Sequence, residues 1–521
     1  MPARPLYEID KKPCVPVRFL DSRQESVGLS DVILRAHEIE DLALPLPPAA
    51  SALLRMLITI AARVTGLDDP DMSAGEWTAR RRALLKEPDG FDAEAVHAYL
   101  DAYVWDLFDP LRPFLQDPRL AAQCQERAGV NKLVLGRPAG NNLAWLSPHS
   151  DMDPVPVPCD EALWHLLAQH FYGAAGTCST RTVNGHSSTR GTAGPLRSTI
   201  SFHPLGRTLY ETLLAGLPKN PGDWHDTEDL CPWEEPELPD PARPLPPVTW
   251  PGRLLTGRSR HAILLVPAPD GQHVADAYLT WATQRDRLPA TDPFLIHDFK
   301  PPQPNAKGGA PRCTPRRADA DRGLWRDLDA LLLASDETSA VQRPQAFSTL
   351  NDLPPELRAQ LRVRAHGFDQ DGKTQNRTWY TSLTPPIWPW TQEHDPARAQ
   401  RIAECRAAAE DIGKLLATVS TKAWRETTTP PDQSRPRHKP PKHLPAWTLR
   451  TAAQYWPRAE ATFWRLLNSP DQPARPAFAA DAVATLRTVT RPAIDQHWPA
   501  AQAVARAIAT LLRDPSRRRK P

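Results

Sequence analysis

Four apolar stripes toward the C-terminal end constrain the fold of this chain more than any other feature. Ile402, Cys405, Ala409, Ile412, Leu416 and Val419 recur at alternating three- and four-residue intervals, which aligns them along one side of a helix. Leu449, Ala452, Trp456, Ala459, Phe463 and Leu466 repeat the pattern, and Ala479, Ala482, Leu486 and Val489, then Ala501, Val504, Ile508 and Leu511, complete it. An amphipathic helix cannot bury its stripe alone, so the four together predict a four-helix bundle. Asp395-Pro396 offers the first helix an N-cap and a first-turn proline, and Thr427-Thr428-Thr429-Pro430-Pro431 marks its exit. The proline-rich linker 426–446, with Arg435, Arg437, Lys439 and Lys442, reads as extended and solvated. Pro492 either kinks the third helix or ends it, and a kink is expected because polar-apolar alternation continues to Trp498.

Upstream, helical and strand signals alternate without a regular repeat. Residues 50–64 read as an apolar core helix, 93–108 and 161–171 as amphipathic helices and 327–333 as a short helix, while 199–203, 261–266 and 273–282 read as strands. This mixture predicts an α+β chain: a large irregular mixed N-terminal domain, residues 1–385, followed by a C-terminal four-helix bundle, residues 394–521. A length of 521 residues accommodates two domains, and 59 prolines imply many connecting loops.

The net charge of +2 conceals an asymmetry. Residues 394–521 hold 22 Lys+Arg against 11 Asp+Glu, a net of +11, and the rest of the chain holds 41 against 50, a net of −9. A basic module beside an acidic one suits a protein that meets a polyanion on one side; a basic solvated surface with a tail at Arg517-Arg518-Arg519-Lys520 is the plainer alternative. No run of eighteen apolar residues occurs, and Met1-Pro2-Ala3-Arg4-Pro5 lacks the apolar core of a signal peptide, so a cytoplasmic location with no membrane partner is expected. Seven scattered cysteines form neither a paired framework nor a Cys-x-x-Cys site.

Signals for catalysis are weak. His149-Ser150-Asp151-Met152-Asp153 gathers one imidazole and two carboxylates, a conceivable metal seed, but prolines 154, 156 and 158 follow and favour a polar loop. Cys178 with His170, His186 or His203 lacks any nucleophile-elbow context, and no phosphate-binding glycine motif occurs. Binding reads better. Residues 173–196 contain five glycines among Ser, Thr, Asn184, Arg181 and Arg190, a composition suited to close backbone approach and to hydrogen bonding with phosphates or groove edges.

A series of signatures runs in order through Trp105-Asp106-Leu107-Phe108, Arg112-Pro113-Phe114-Leu115-Gln116, Asn131-Lys132-Leu133-Val134-Leu135-Gly136, Gln169-His170-Phe171, Gly191-Thr192-Ala193-Gly194-Pro195-Leu196 and the apolar set Leu209, Leu213, Leu214 and Leu217. Val15-Pro16-Val17 and Val27-Gly28-Leu29-Ser30-Asp31-Val32-Ile33 precede it; Trp250 with Arg253 and Leu254, and Gly367-Phe368-Asp369-Gln370-Asp371-Gly372-Lys373, follow it. The series resembles the large subunit of the type I-E CRISPR complex Cascade, the CasA family. That resemblance implies a mixed N-terminal domain with a helical bundle, and a non-catalytic subunit without cofactor. It further implies recognition of a protospacer-adjacent motif in double-stranded target DNA, duplex opening and recruitment of a helicase-nuclease, with crRNA and the other Cascade subunits as partners.

The resemblance also carries residue roles. Gln370, with Asp371, Gly372 and Lys373, matches a wedge inserted beside the motif. Ser179, Thr180 and Arg181 stand where the family has a glycine run facing the minor groove. Lys300 falls near a minor-groove lysine, and Asn131, Lys132 and Leu133 match a loop anchoring the subunit near the guide RNA. Two readings of other classes remain: a metal-dependent nuclease or hydrolase built on His149, Asp151 and Asp153, and a helical adaptor that binds only proteins.

Overall fold

The computed structural model describes residues 6–513 apart from 88, 140–145, 221–227, 245, 284–290, 301–311, 336–338, 372–374 and 429–443. The chain divides into two units, Met1–Asp321 with Ser335–Pro389, and Arg322–Ala334 with Trp390–Pro521.

The first unit is organised around the helix Pro47–Thr65. Two prolines preset its first turn, and Gly66, at φ 65°, closes it in the left-handed conformation. By length and composition this helix could cross a membrane, but 89% of its apolar window is buried inside the protein. It is a core helix with neighbours on every side, including the helices Cys159–Tyr172 and Leu209–Gly216 and the strand Arg362–Gln370. Arg55 is wholly buried within it and grips Asp292 through two bonds of 2.8 and 3.0 Å, while Arg258 reaches the same carboxylate at 3.3 Å. Burial would raise the Asp292 pKa; the two guanidiniums outweigh it and hold the carboxyl below its ordinary range.

Several short antiparallel sheets complete this unit. The one that matters most for the site has Arg362–Gln370 in the middle, flanked by Ile200–Leu205 and Asn376–Leu383. Every residue of Ile200–Leu205 is buried, as a strand covered on both faces requires. The pair His261–Pro267 and His273–Trp281 carries Val157–Pro158 on its edge, and the hairpin Gly176–Val183 with His186–Gly191 packs against His273–Trp281. The fold is α+β.

The second unit contains helices Pro396–Thr428, Ala446–Leu467, Ala474–Ile494 and Trp498–Leu511. Asp395 caps the first, its carboxylate accepting the Arg398 N–H at 2.9 Å. The first and third stripes are buried residue for residue. The second is not. Its core runs through Thr448, Thr451 and Tyr455 before rejoining Ala459, Phe463 and Leu466, and Leu449 is exposed. The reason is local satisfaction: Thr448 pairs with Ser420 and Thr421, Thr451 bonds the Thr448 carbonyl, and the Tyr455 hydroxyl donates to the Ala409 carbonyl at 2.9 Å. In the fourth helix the core is Ala500, Ala503, Val504, Ala507 and Leu511, so Ala501 and Ile508 sit at its margin. Pro492 does not kink a continuing helix; the helix stops two residues later at Ile494, and Trp498 opens the next one.

Residues 322–334, read from sequence as part of the N-terminal module, cluster with the bundle. Arg322 and Arg326 converge on Glu410 at 2.9 and 2.7 Å, Arg406 reaches Asp329 at 2.5 Å, and Trp325 packs 4.8 Å from the Phe463 ring. The buried Glu410 carboxylate, the Arg406–Asp329 pair and an aromatic contact thus fix a segment that its own sequence, short and locally helical, could not place.

Candidate nucleic-acid interface

The C-terminal end of helix Cys159–Tyr172 gathers three segments that lie far apart in sequence. Gln169 donates through its side-chain amide to the carbonyls of Lys132 and Leu133, at 3.0 and 2.9 Å, and so fixes the helical turn Val130–Leu133. The Tyr172 carbonyl accepts from Gln370 at 3.2 Å and from Arg197 at 3.0 Å. The chain then leaves through Gly173 into the hairpin 176–191. A Cβ on Gly173 would lie 2.5 Å from the Gln169 carbonyl oxygen and 2.7 Å from the His261 ring, so only glycine fits this exit.

The glycine-rich stretch 173–196, read from composition as a loop, folds as a two-stranded hairpin. Asn184 and Gly185, at φ 50° and 76°, form its tip with the paired positive angles that suit the strand twist. Arg181 lies inside. Its guanidinium donates to Asp117 at 2.7 Å, Gln123 at 2.8 Å and the Trp281 carbonyl at 2.9 Å, so it pins the hairpin down rather than facing outward. Burial alone would raise the Asp117 pKa, but the Arg119 and Arg181 guanidiniums hold the carboxylate below its ordinary range. Ser179 is buried and its carbonyl accepts from Thr280; Thr180 is half-buried. Thr177, Thr182, Asn184, Ser187 and Arg190 are the residues this hairpin exposes beside its tip glycine, His186 and Thr189.

Gln370 is also interior, 4% exposed. Its side-chain carbonyl accepts the Ser198 N–H at 3.1 Å, and its amide donates to the Tyr172 carbonyl and to Asn376 Oδ1 at 2.8 Å. Asp371 follows at the start of the turn, its N–H bonded to the Gln375 carbonyl at 3.0 Å and its carboxylate accepting the Gln375 N–H at 2.8 Å. Gly372 and Lys373 lie outside the described residues; Gln375 is exposed. Arg197 closes the base of this turn. It donates to the Asp371 carbonyl at 3.2 Å and the Gln375 carbonyl at 3.1 Å as well as to Tyr172, and burial lowers its pKa to about 10.

The anchoring-loop residues join the same assembly. Lys132 donates to the Thr177 carbonyl at 2.8 Å, tying its turn to the hairpin, and burial lowers its pKa. Asn131, buried, donates to Asp151 at 2.9 Å, and Leu133 is fully buried. Gly136 lies against the Trp379 ring, on the strand after the turn at 371–375. Lys300 ends the strand His297–Lys300, which pairs with Arg312–Pro315 in a different sheet. Sequence reasoning missed Arg197, Gln169 and Asp117. The first two flank or belong to the signatures, but nothing local reveals their partners.

Among the described residues no three His, Cys, Asp or Glu side chains converge on a site that could hold a metal ion. Asp151 is engaged by Asn131, and Cys178 contacts the Thr189 carbonyl and Thr280 hydroxyl rather than an imidazole. His170 is likewise occupied: the Leu115 carbonyl requires a proton on Nε2, so Nδ1 accepts from Ser259.

A family model of CRISPR-associated protein Cse1 matches residues 11–495. The chain belongs to the Cse1 family. It is a CasA-type large subunit of type I-E. Within the Cse1 family, the CasA/Cse1 protein of Thermus thermophilus is 26% identical over 376 residues, 70% of this chain and 68% of that protein. A chain of a solved CRISPR RNA-guided surveillance complex is 38% identical, with a TM-score of 0.84 over 98% of this chain and 100% of its own. Thermobifida fusca Cse1, at 18% identity and a TM-score of 0.74 over 98% and 97% of the two chains, shares the fold.

Proposed function

We propose that this Cse1-family chain is the non-catalytic DNA-recognition subunit of a crRNA-guided Cascade complex, with crRNA and the other Cascade subunits as partners. In this reading it detects a protospacer-adjacent motif in double-stranded target DNA, starts opening of the adjoining base pairs and presents a surface to a recruited helicase-nuclease. The observation that carries it is the anchoring of the 371–375 turn on the base of the 176–191 hairpin through Gln370, Arg197 and Ser198. A group that forces base pairs apart must be held rigidly, because unstacking costs a few kcal/mol per step and a compliant loop would yield instead. The Gln370 side chain then acts as the wedge's root, and the flank formed by half-buried Asp371 and exposed Gln375 as its working end. The hairpin's outward residues read the groove, with Arg181 as an internal brace. The N-terminal unit takes the motif, and the basic C-terminal bundle, net +11 over residues 394–521, suits the displaced strand.

The test is R-loop formation by the reconstituted complex on an intact duplex and on a target already unpaired beside the motif. Gln375→Ala should slow the reaction about tenfold on the intact duplex, a deficit of about 1.4 kcal/mol, and be rescued on the pre-opened target. Asn184→Ala with Arg190→Ala should alter motif discrimination on both. Equal behaviour of Gln375→Ala on the two targets removes the wedge assignment.

A further inference from the structure

Arg197 is placed between the two devices of the proposed mechanism. Its chain position is the exit of the 176–191 hairpin, where Leu196 N–H returns to the Phe171 carbonyl and Gly194 N–H to the Gly173 carbonyl. Its guanidinium spends one nitrogen on Tyr172, the residue before the hairpin's entry, and the other two on the carbonyls at both ends of the 371–375 turn. An ion pair to Asp371 at 3.6 Å adds to this, and the side chain is only 3% exposed. One rigid, planar, five-donor group therefore joins hairpin entry, hairpin exit and both flanks of the turn. Lysine, a single flexible point charge, cannot span these acceptors.

We infer that Arg197 is the positioning residue that transmits motif engagement at the hairpin to the turn that opens the duplex. The inference rests on the wedge reading. Force on the hairpin at its base must displace Tyr172 or Arg197, and either displacement moves the carbonyls of Asp371 and Gln375 with it. Arg197 touches no DNA. Its effect belongs to the coupling between the two events rather than to either alone, and coupling is measurable as non-additivity.

The experiment uses the assembled complex and a duplex carrying 2-aminopurine at the first base pair beside the motif, whose fluorescence rises on unstacking. Arg197→Gln and Arg197→Lys should keep motif affinity within about twofold on the pre-opened target, while the motif-dependent fluorescence rise on the intact duplex falls about tenfold or more. Combining Arg197→Lys with Gln375→Ala should add almost nothing to the Gln375→Ala defect. Equal losses on both targets, additive defects, or failure of both variants to assemble would make Arg197 a structural residue and overturn the proposal. If Gln375→Ala itself lacks a duplex-specific defect, the wedge reading fails, and the proposal with it. An intact Gln375→Ala phenotype with a silent Arg197 sinks the coupling alone.

Discussion

The side-chain carbonyl of Gln370 accepts the backbone N–H of Ser198 at 3.1 Å, across 172 residues of sequence. Its amide nitrogen is occupied as well, so both ends of the side chain are spent inside the protein. Gln370→Leu, close in size, should leave the Ser198 N–H without its acceptor and take from Asn376 Oδ1 the shorter of its two side-chain donors, the other being Arg197 at 3.4 Å. A loss of about 2 kcal/mol is expected for these buried groups, read as a lower urea midpoint with an unchanged slope. Gln375→Ala, on the exposed flank, should leave that midpoint where it is.

The Arg55, Arg258 and Asp292 cluster is more costly to break. Asp292→Ala removes the carboxylate that two buried guanidiniums share, and a destabilisation of about 3–5 kcal/mol is expected by urea titration. Removing Arg258 alone should cost less, since Arg55 retains both bonds to the carboxylate.

Acid sensitivity follows from buried imidazoles. Burial pushes the pKa of His170 and His261 down to about 4, and that of His165 and His366 to about 3, from an ordinary 6.5. The unfolded chain therefore takes up these protons first. The contribution is complete above pH 6.5 and drains as pH falls toward 4, at up to about 1.4 kcal/mol per pH unit for each group. Thermal midpoints measured from pH 7.5 to 4.5 should fall throughout the lower part of that range. His366→Leu should flatten the decline without sacrificing a hydrogen bond, because both ring nitrogens are buried with no partner among the described residues.

Glu410 holds Arg322 and Arg326, and those guanidiniums keep its carboxyl below the usual range despite burial. Glu410→Ala should free the 322–334 segment before the helices themselves melt. Hydrogen exchange at 324–332 is expected to accelerate, while exchange at Ile412 and Leu416 stays slow. Uniform acceleration would show instead that segment and helices open together.

Periodicity served well where burial follows polarity. The stripe Ile402 through Val419 is legible because every residue at its three- and four-residue spacing is apolar and buried, and the same holds for Ala479, Ala482, Leu486 and Val489; the buried Glu410 and Thr485 lie off that spacing. It failed at Thr448, Thr451 and Tyr455, where hydroxyls find partners within a turn or on the neighbouring helix and so tolerate the core. The family resemblance singles out Gln370, but nothing local shows that its side chain is buried, because the groups that satisfy it include Tyr172 and Ser198, far away in sequence. Arg181 misled in the same way: Asp117, its partner 64 residues upstream, is invisible to local spacing. Pair partners at such separations are a property of the closed chain, not of any window within it.

The 322–334 segment also orders events during synthesis. Trp325 and Leu328 emerge from the ribosome well before Phe463 and Trp456, so this piece of the helical unit must wait, its apolar side uncovered, for partners not yet made. A gene fragment starting at codon 390 would encode four helices but not the side chains that cover one of their faces. The bundle is contiguous as a drawing and discontinuous as a folding unit.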